Sequence, residues 1–143
     1  MTIDPLTFHK KFSAEDFDFQ YNLRSKRPDY ERTVIPEWIE RSAKVRSNFS
    51  DTLDIRYGTG QKQQLDLFRV EKKDTPTLVY FHGGYWQRGD KSIYSFLAPS
   101  FNSENVNFIT IGYDLCPAVT ITEISAQARE ALKFIGKIQI CWG

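Results

Sequence analysis

His82-Gly83-Gly84-Tyr85-Trp86 is the stretch of this 143-residue sequence whose residue types and order could do chemistry. It follows the apolar run Thr77-Leu-Val-Tyr-Phe81, and two adjacent glycines let a chain turn sharply while leaving its amides unobstructed. Such a turn can present N–H groups to an anion. In acyl transfer the carbonyl oxygen becomes negatively charged in the tetrahedral intermediate, and fixed backbone N–H donors at about 3 Å stabilise it. Taken alone, a Gly-Gly pair after a strand is more often just a turn, and a single histidine more often orients a loop than catalyses.

The other reactive residue types assemble into nothing comparable. Cys116 and Cys141 fit neither a C-x-x-C pair nor a zinc spacing with His9 or His82, so they read as reduced thiols in ordinary packing. Ser92, Ser95 and Ser100 fall on or near a predicted helix, beside no candidate base, and read as structural. No segment matches a P-loop or a G-x-G-x-x-G fingerprint. Nineteen basic residues against eighteen acidic ones leave a formal charge of +1, so no long-range field draws the chain to nucleic acid or to an anionic membrane. The cluster Arg24, Lys26, Arg27 accordingly reads as a solvated face. An acid and a proline stand in Met1-Thr-Ile-Asp-Pro-Leu where a secretory signal carries its apolar stretch, and no run reaches membrane-spanning length. A soluble, cytoplasmic protein is the expectation.

Several elements must hold the glycine turn in place. Residues 1–50 read as an N-terminal arm, irregular over the first thirty, where charges interleave with Phe8, Phe12, Phe17, Phe19 and Tyr21 without a strict period. One helix is expected there, from Pro36 through Trp38, Ile39, Ala43 and Arg46. Residues 51–143 read as the core. Leu53, Ile55 and Tyr57 alternate, Gly58-Thr-Gly60 turns, and Leu65, Leu67 and Phe68 return, which predicts an antiparallel hairpin. Thr77–Phe81 and Val106–Ile111 lack alternation, as expected of strands covered on both faces. Between them, Asp90 can cap a helix carrying Ile93, Phe96, Leu97 and Phe101, with a kink at Pro99. Thr120-Ile-Thr-Glu123 has capping-box spacing, and Ile121, Ile124, Ala128, Leu132 and Ile135 follow as one apolar face. Hairpin, strand, helix, strand, helix makes an α/β fold with right-handed crossovers and a mixed, mostly parallel sheet flanked by helices.

The whole motif H-G-G-x-W after a buried strand is the oxyanion-loop signature of esterase and lipase relatives of the α/β-hydrolase fold. Tyr80-Phe-His-Gly-Gly-Tyr-Trp-Gln-Arg-Gly-Asp-Lys91 resembles kynurenine formamidases (arylformamidases) and their esterase-like relatives. Further matches occur in the same order: Tyr21-Asn22-Leu23-Arg24, Tyr57-Gly58, Leu65-Asp66-Leu67-Phe68 and Tyr113-Asp114-Leu115-Cys116-Pro117. The resemblance runs from about residue 20 to about residue 136 and implies the N-terminal half of that fold. It implies that Gly83, Gly84 and Tyr85 contribute oxyanion-hole amides, with His82 and Trp86 shaping the loop, and that the arm lies over or beside the cleft. It also implies a serine hydrolase without a cofactor, acting on small aryl formamides or esters, such as N-formylkynurenine cleaved to kynurenine and formate in tryptophan breakdown.

The family pattern needs a serine in G-x-S-x-G, then an acid, then a histidine. This sequence contains no G-x-S-x-G, and both histidines, His9 and His82, precede the place where that serine would stand. None of the triad is therefore expected here, and the chain alone is expected to be inactive. The competing expectation is a truncated isoform or remnant that acts, if at all, as a binding or partner-interaction module. A strand edge left open beside Thr77–Phe81 would favour self-association.

Overall fold

In the computed structural model, residues 11–22 and 26–140 are described, with side chains to residue 138. Internal contacts group Met1–Pro36 as one compact unit and Glu37–Gly143 as another, which puts most of the helix expected within the 1–50 arm together with the sheet. His9, Arg24 and Cys141 lie outside the described residues.

The first unit is more regular than its sequence suggests. Helix α1, Ala14–Tyr21, starts at a capping box: Ser13 Oγ accepts from the Asp16 amide at 3.1 Å and Asp16 Oδ2 accepts from the Ser13 amide at 2.8 Å. None of its residues is buried. Its aromatic side chains pack on one another instead, Phe17 against Phe12 and Tyr21, while Lys26 Nζ lies 4.1 Å from the centre of the Phe19 ring. Arg27 holds Asp29 through two parallel bonds of 3.1 and 3.2 Å, so both described members of the basic cluster have partners within their own unit. A wide π-type turn, Tyr30–Val34, leads into helix α2, Ile35–Arg46.

In the second unit four strands form one mixed sheet in the order β1-β2-β4-β3, with β1 Ile55–Arg56, β2 Gln64–Phe68, β3 Thr77–Phe81 and β4 Asn107–Ile111. The expected hairpin is present, pairing Ile55 with Leu65. β2 runs antiparallel to β4, and β3 runs parallel to it. Parallel character is thus confined to one side of β4 among the described strands. Among the described residues β3 has no strand beyond it in the sheet order, and Leu78 on it is 38% exposed, so this strand is less covered than its unbroken apolar run suggests.

Side chains alternate across the sheet and make two cores. Leu65, Leu67, Ile109 and Ile111 pack under Ala131 and Ile135 of helix α4, Ile121–Ile140, while Phe68 and Phe108 pack under Ala98 on the other face. Burying each such Leu, Ile or Phe contributes about 1.5–3 kcal/mol, so both faces must be covered for the sheet to persist. The α4 capping box forms as expected, with Thr120 Oγ1 accepting from the Glu123 amide at 3.2 Å and Glu123 Oε2 accepting from the Thr120 amide at 2.7 Å. Its buried face is rotated from the expected one: Ile121 and Leu132 are half-exposed, and Gln127 is buried beside Ile124, Ala131 and Ile135.

The segment after the glycine turn also departs from expectation. Asp90 does cap it, but Lys91–Leu97 is a 3₁₀ helix that passes into a short α-helix, α3, Ala98–Asn102. Pro99 therefore falls in the first turn of α3, where its missing N–H breaks no intrahelical bond, and produces no kink. Buried Ser42 ties α2 to the 3₁₀ helix, donating to the Ile93 carbonyl at 2.7 Å and accepting from the Phe96 amide at 3.0 Å. Trp38 packs on Tyr94 and Phe96 across the same junction.

Candidate functional site

At the end of β3 the chain enters His82, which is buried against two aromatic rings. Tyr113 stacks against its ring at 4.4 Å between ring centres, and the Tyr94 ring lies parallel to it at 6.0 Å. Burial pushes the His82 pKa below its ordinary value, more strongly than its bond to Gly83 and the nearby Asp90 raise it. The ring is therefore neutral at neutral pH. Its Nδ1 lies 2.9 Å from the Gly83 carbonyl, which can only accept, so the proton belongs on Nδ1.

That bond orients the turn. In a trans peptide the C=O and the following N–H point in opposite directions, so holding the Gly83 carbonyl against His82 directs the Gly84 N–H away from the ring. The next peptide obeys the same rule. The Gly84 carbonyl accepts from Gln87 and Arg88, each at 3.1 Å, which directs the Tyr85 N–H out of the turn. Among the described residues, the amides of Gly83, Gly84, Tyr85 and Trp86 donate to no backbone carbonyl. Consecutive free N–H groups of this kind are what an anion requires.

The geometry is strained. Gly84, Tyr85 and Trp86 have φ of 132°, 53° and 56°, so two large L-residues follow the glycine in the left-handed region. Each costs on the order of 1 kcal/mol and persists only where surroundings dictate it. A Cβ on Gly84 would collide with the Arg88 carbonyl, whereas one on Gly83 would meet nothing within 4 Å. Gly84 is thus demanded by packing, and the space beside Gly83 is open. Tyr85 and Trp86 are 67% and 48% exposed.

Residues far along the sequence hold this arrangement. The Tyr113 hydroxyl donates to the His82 carbonyl, and the Cys116 amide donates to the Trp86 carbonyl at 2.8 Å. Asp114 braces the same segment: its Oδ1 accepts from the Lys62 amide at 3.0 Å, and it exchanges two bonds with Gln127 on α4, at 2.9 and 3.0 Å. Tyr113-Asp114-Leu115-Cys116 therefore acts as a clamp on the glycine turn. Sequence reasoning noted this stretch without assigning it a task, and passed over Gln127, whose signal was a polar residue on the apolar stripe of a helix. Downstream, Gly89 at φ 100° lets the chain pass His82, since a Cβ there would come within 2.7 Å of Nδ1. Burial would raise the Asp90 pKa, but two bonds from Ser92 and the nearby Lys62 and Lys91 lower it overall, so the cap carries a full charge.

The three serines are apart from this chemistry. Ser92 Oγ donates to Asp90 at 2.7 Å, Ser95 is fully buried in the 3₁₀ helix, and Ser100 is exposed on α3. Cys116 is a free thiol, half-buried. Among the described residues no three His, Cys, Asp or Glu side chains converge as metal ligands would, and no helix is long and apolar enough to cross a membrane.

No family model matches the chain. Curated relatives do: kynurenine formamidase from Salmo salar is 26% identical over 79% of this chain and 39% of its own length, and that from Danio rerio 25% over 86% and 44%. The Drosophila melanogaster kynurenine formamidase reaches 34% identity over 57% of this chain and 27% of its own. Among solved structures, a proposed thioesterase from Silicibacter superposes with a TM-score of 0.67 at 35% identity, over 78% of this chain and 42% of that one. Esterase B from Lactobacillus rhamnosis superposes at 0.59 and 20% identity, over 76% and 40%, a likeness of fold. The chain spans less than half the length of the relatives it matches. It has the N-terminal part of the α/β-hydrolase fold and resembles kynurenine formamidases and esterases.

Proposed function

We propose that this segment supplies the oxyanion-binding side of a serine-hydrolase cleft acting on an aryl formamide or a small ester. The observation that carries this reading is the turn at the end of β3, where the Gly83 carbonyl is pinned inward by His82 and successive amides face outward without backbone acceptors. When a nucleophile attacks the substrate carbonyl, its oxygen takes up negative charge, and in this reading the amides of Gly83, Gly84 and Tyr85 receive it. Each such donor is worth about 3 kcal/mol of barrier. Cleavage of N-formylkynurenine to kynurenine and formate is the favoured reaction, suggested by the names of the curated relatives. No cofactor, nucleic acid or membrane enters the proposal, and its setting is cytoplasmic.

The nucleophile and its base are not assigned within these residues. The sequence has no G-x-S-x-G, and His82 gives Nδ1 to Gly83 while its ring packs against Tyr94 and Tyr113. The segment by itself is therefore proposed to be inactive. The test assays residues 1–143 and the full-length gene product side by side for aryl-formamide and ester hydrolysis and for labelling by a fluorophosphonate. Turnover and labelling by the full-length product alone support the reading. Stoichiometric labelling with turnover by residues 1–143 overturns the assignment of an incomplete site.

A second reading, a non-catalytic interaction module, draws on the side of β3 that has no neighbouring strand among the described residues and on the half-exposed Ile121 and Leu132 of α4. An open strand edge beside wet apolar side chains is a template for pairing with another copy.

A further inference from the structure

The oxyanion reading leaves unexplained a buried lysine immediately downstream of the turn. Lys91 is 5% exposed, and its Nζ lies 2.6 Å from Asp66 Oδ1 and 2.5 Å from Asp54 Oδ1. Asp66, on β2, is fully buried and also pairs with Arg46 at the end of α2. Arg46 in turn reaches Asp54 at 3.5 Å, and the Asp54 amide donates to Asp66 Oδ1 at 2.8 Å. Two cations and two anions thus close a charge-balanced ring that joins α2, the approach to β1, the middle of β2 and the end of the glycine turn.

Such a ring is weak evidence of stability. Removing charges from water costs most of what their attraction returns, and apolar replacements of similar volume are often as stable; what a paired buried charge can supply is one arrangement in preference to its neighbours. The turn needs that. Its upstream end is fixed by β3 in the sheet, and three successive residues in the left-handed region relax unless the downstream end is fixed as well. Asp90 and Lys91 are that end, Asp90 capping the 3₁₀ helix and Lys91 reaching through the fold to β2.

We infer that Lys91 is a positioning residue, which through Asp54 and Asp66 sets the Gly83–Trp86 amides at the spacing an oxyanion requires. The inference rests on the oxyanion reading, and the experiment separates the two. The amides that close the turn are those of Gln87, Arg88 and Cys116, and their hydrogen exchange is compared with that of Ile109 and Thr110 in the central strand β4, which face β3 and β2 respectively. In residues 1–143, Lys91→Met speeds exchange at the three turn amides about tenfold or more while the strand amides stay protected. Lys91→Met combined with Asp54→Asn restores charge balance, keeping Arg46 on Asp66, and guards against simple misfolding. It recovers thermal stability without recovering turn protection. In the full-length product the same variants lower kcat with KM within about twofold, because the donors act on the transition state. Turn amides as protected as in the wild type, in a variant whose sheet is intact, overturn the role of Lys91 and leave the oxyanion reading standing. Fast turn amides with unchanged kcat overturn the oxyanion reading, and with it the catalytic part of the inference.

Discussion

His82 and Tyr113 lie face to face, their ring planes 11° apart, and the Tyr113 hydroxyl donates to the backbone carbonyl of the same histidine. Stack and hydrogen bond together fix the first residue of the turn from a point 31 positions further along the chain. Tyr113→Phe keeps the stack and removes the donor, leaving a buried carbonyl unsatisfied. The expected loss is about 1–2 kcal/mol in urea unfolding with an unchanged m-value.

The depressed His82 pKa makes stability depend on pH with a definite sign. The folded state binds this proton less readily than the unfolded chain does, so stability rises with pH between the folded pKa and the ordinary value of about 6.5. The contribution is complete above about pH 6.5 and is lost as the pH falls toward the folded value. His82→Gln should flatten that part of the unfolding profile, and an unchanged slope would show that another group is responsible.

The two glycines should behave differently. Gly84→Ala places a Cβ against the Arg88 carbonyl at φ 132° and is expected to destabilise by about 1–3 kcal/mol. Gly83→Ala meets no atom and should stay within about 0.5 kcal/mol of wild type. In the full-length product Gly84→Pro, which also deletes an amide donor, should abolish turnover, and a folded Gly84→Pro with wild-type kcat would remove the oxyanion assignment.

The side of β3 with no neighbouring strand among the described residues predicts concentration-dependent association of residues 1–143, visible by size-exclusion chromatography with light scattering. Leu78→Lys, at the most exposed apolar position of that strand, should shift the population toward monomer, since an edge charge opposes strand pairing. A monodisperse wild-type chain at all concentrations would dismiss the edge as an association site.

Much of the sheet was legible because its signals are local. Alternation gave the β1–β2 hairpin, unbroken apolar runs gave β3 and β4, and Thr120 with Glu123 announced α4. Other features were hidden for identifiable reasons. α1 begins with a capping box closed by Asp16 where the pattern calls for Glu or Gln, and it buries none of its aromatics, so no apolar face marked it. The face of α4 was misplaced because Gln127 occupies a core position, satisfied by Asp114 in another element. The glycine turn itself was visible, but the residues that hold it were not. Tyr94, Tyr113 and Lys91 gain their roles from distances across the fold that no local pattern encodes.

β4 is the strand that every other long-range pairing requires. β2 and β3 are not neighbours in the sheet order; each lies along β4, which follows both in the sequence. Of the sheet, the residues up to about 106 can therefore form only the two-residue ladder of β1 with β2, too short to stand alone. β2 and β3 have no shared strand partner until Asn107–Ile111 emerges, and the cover of one face waits longer, for Ala131 and Ile135. In a nascent chain with this topology the sheet therefore forms only once β4 has emerged, and its ladders then close together.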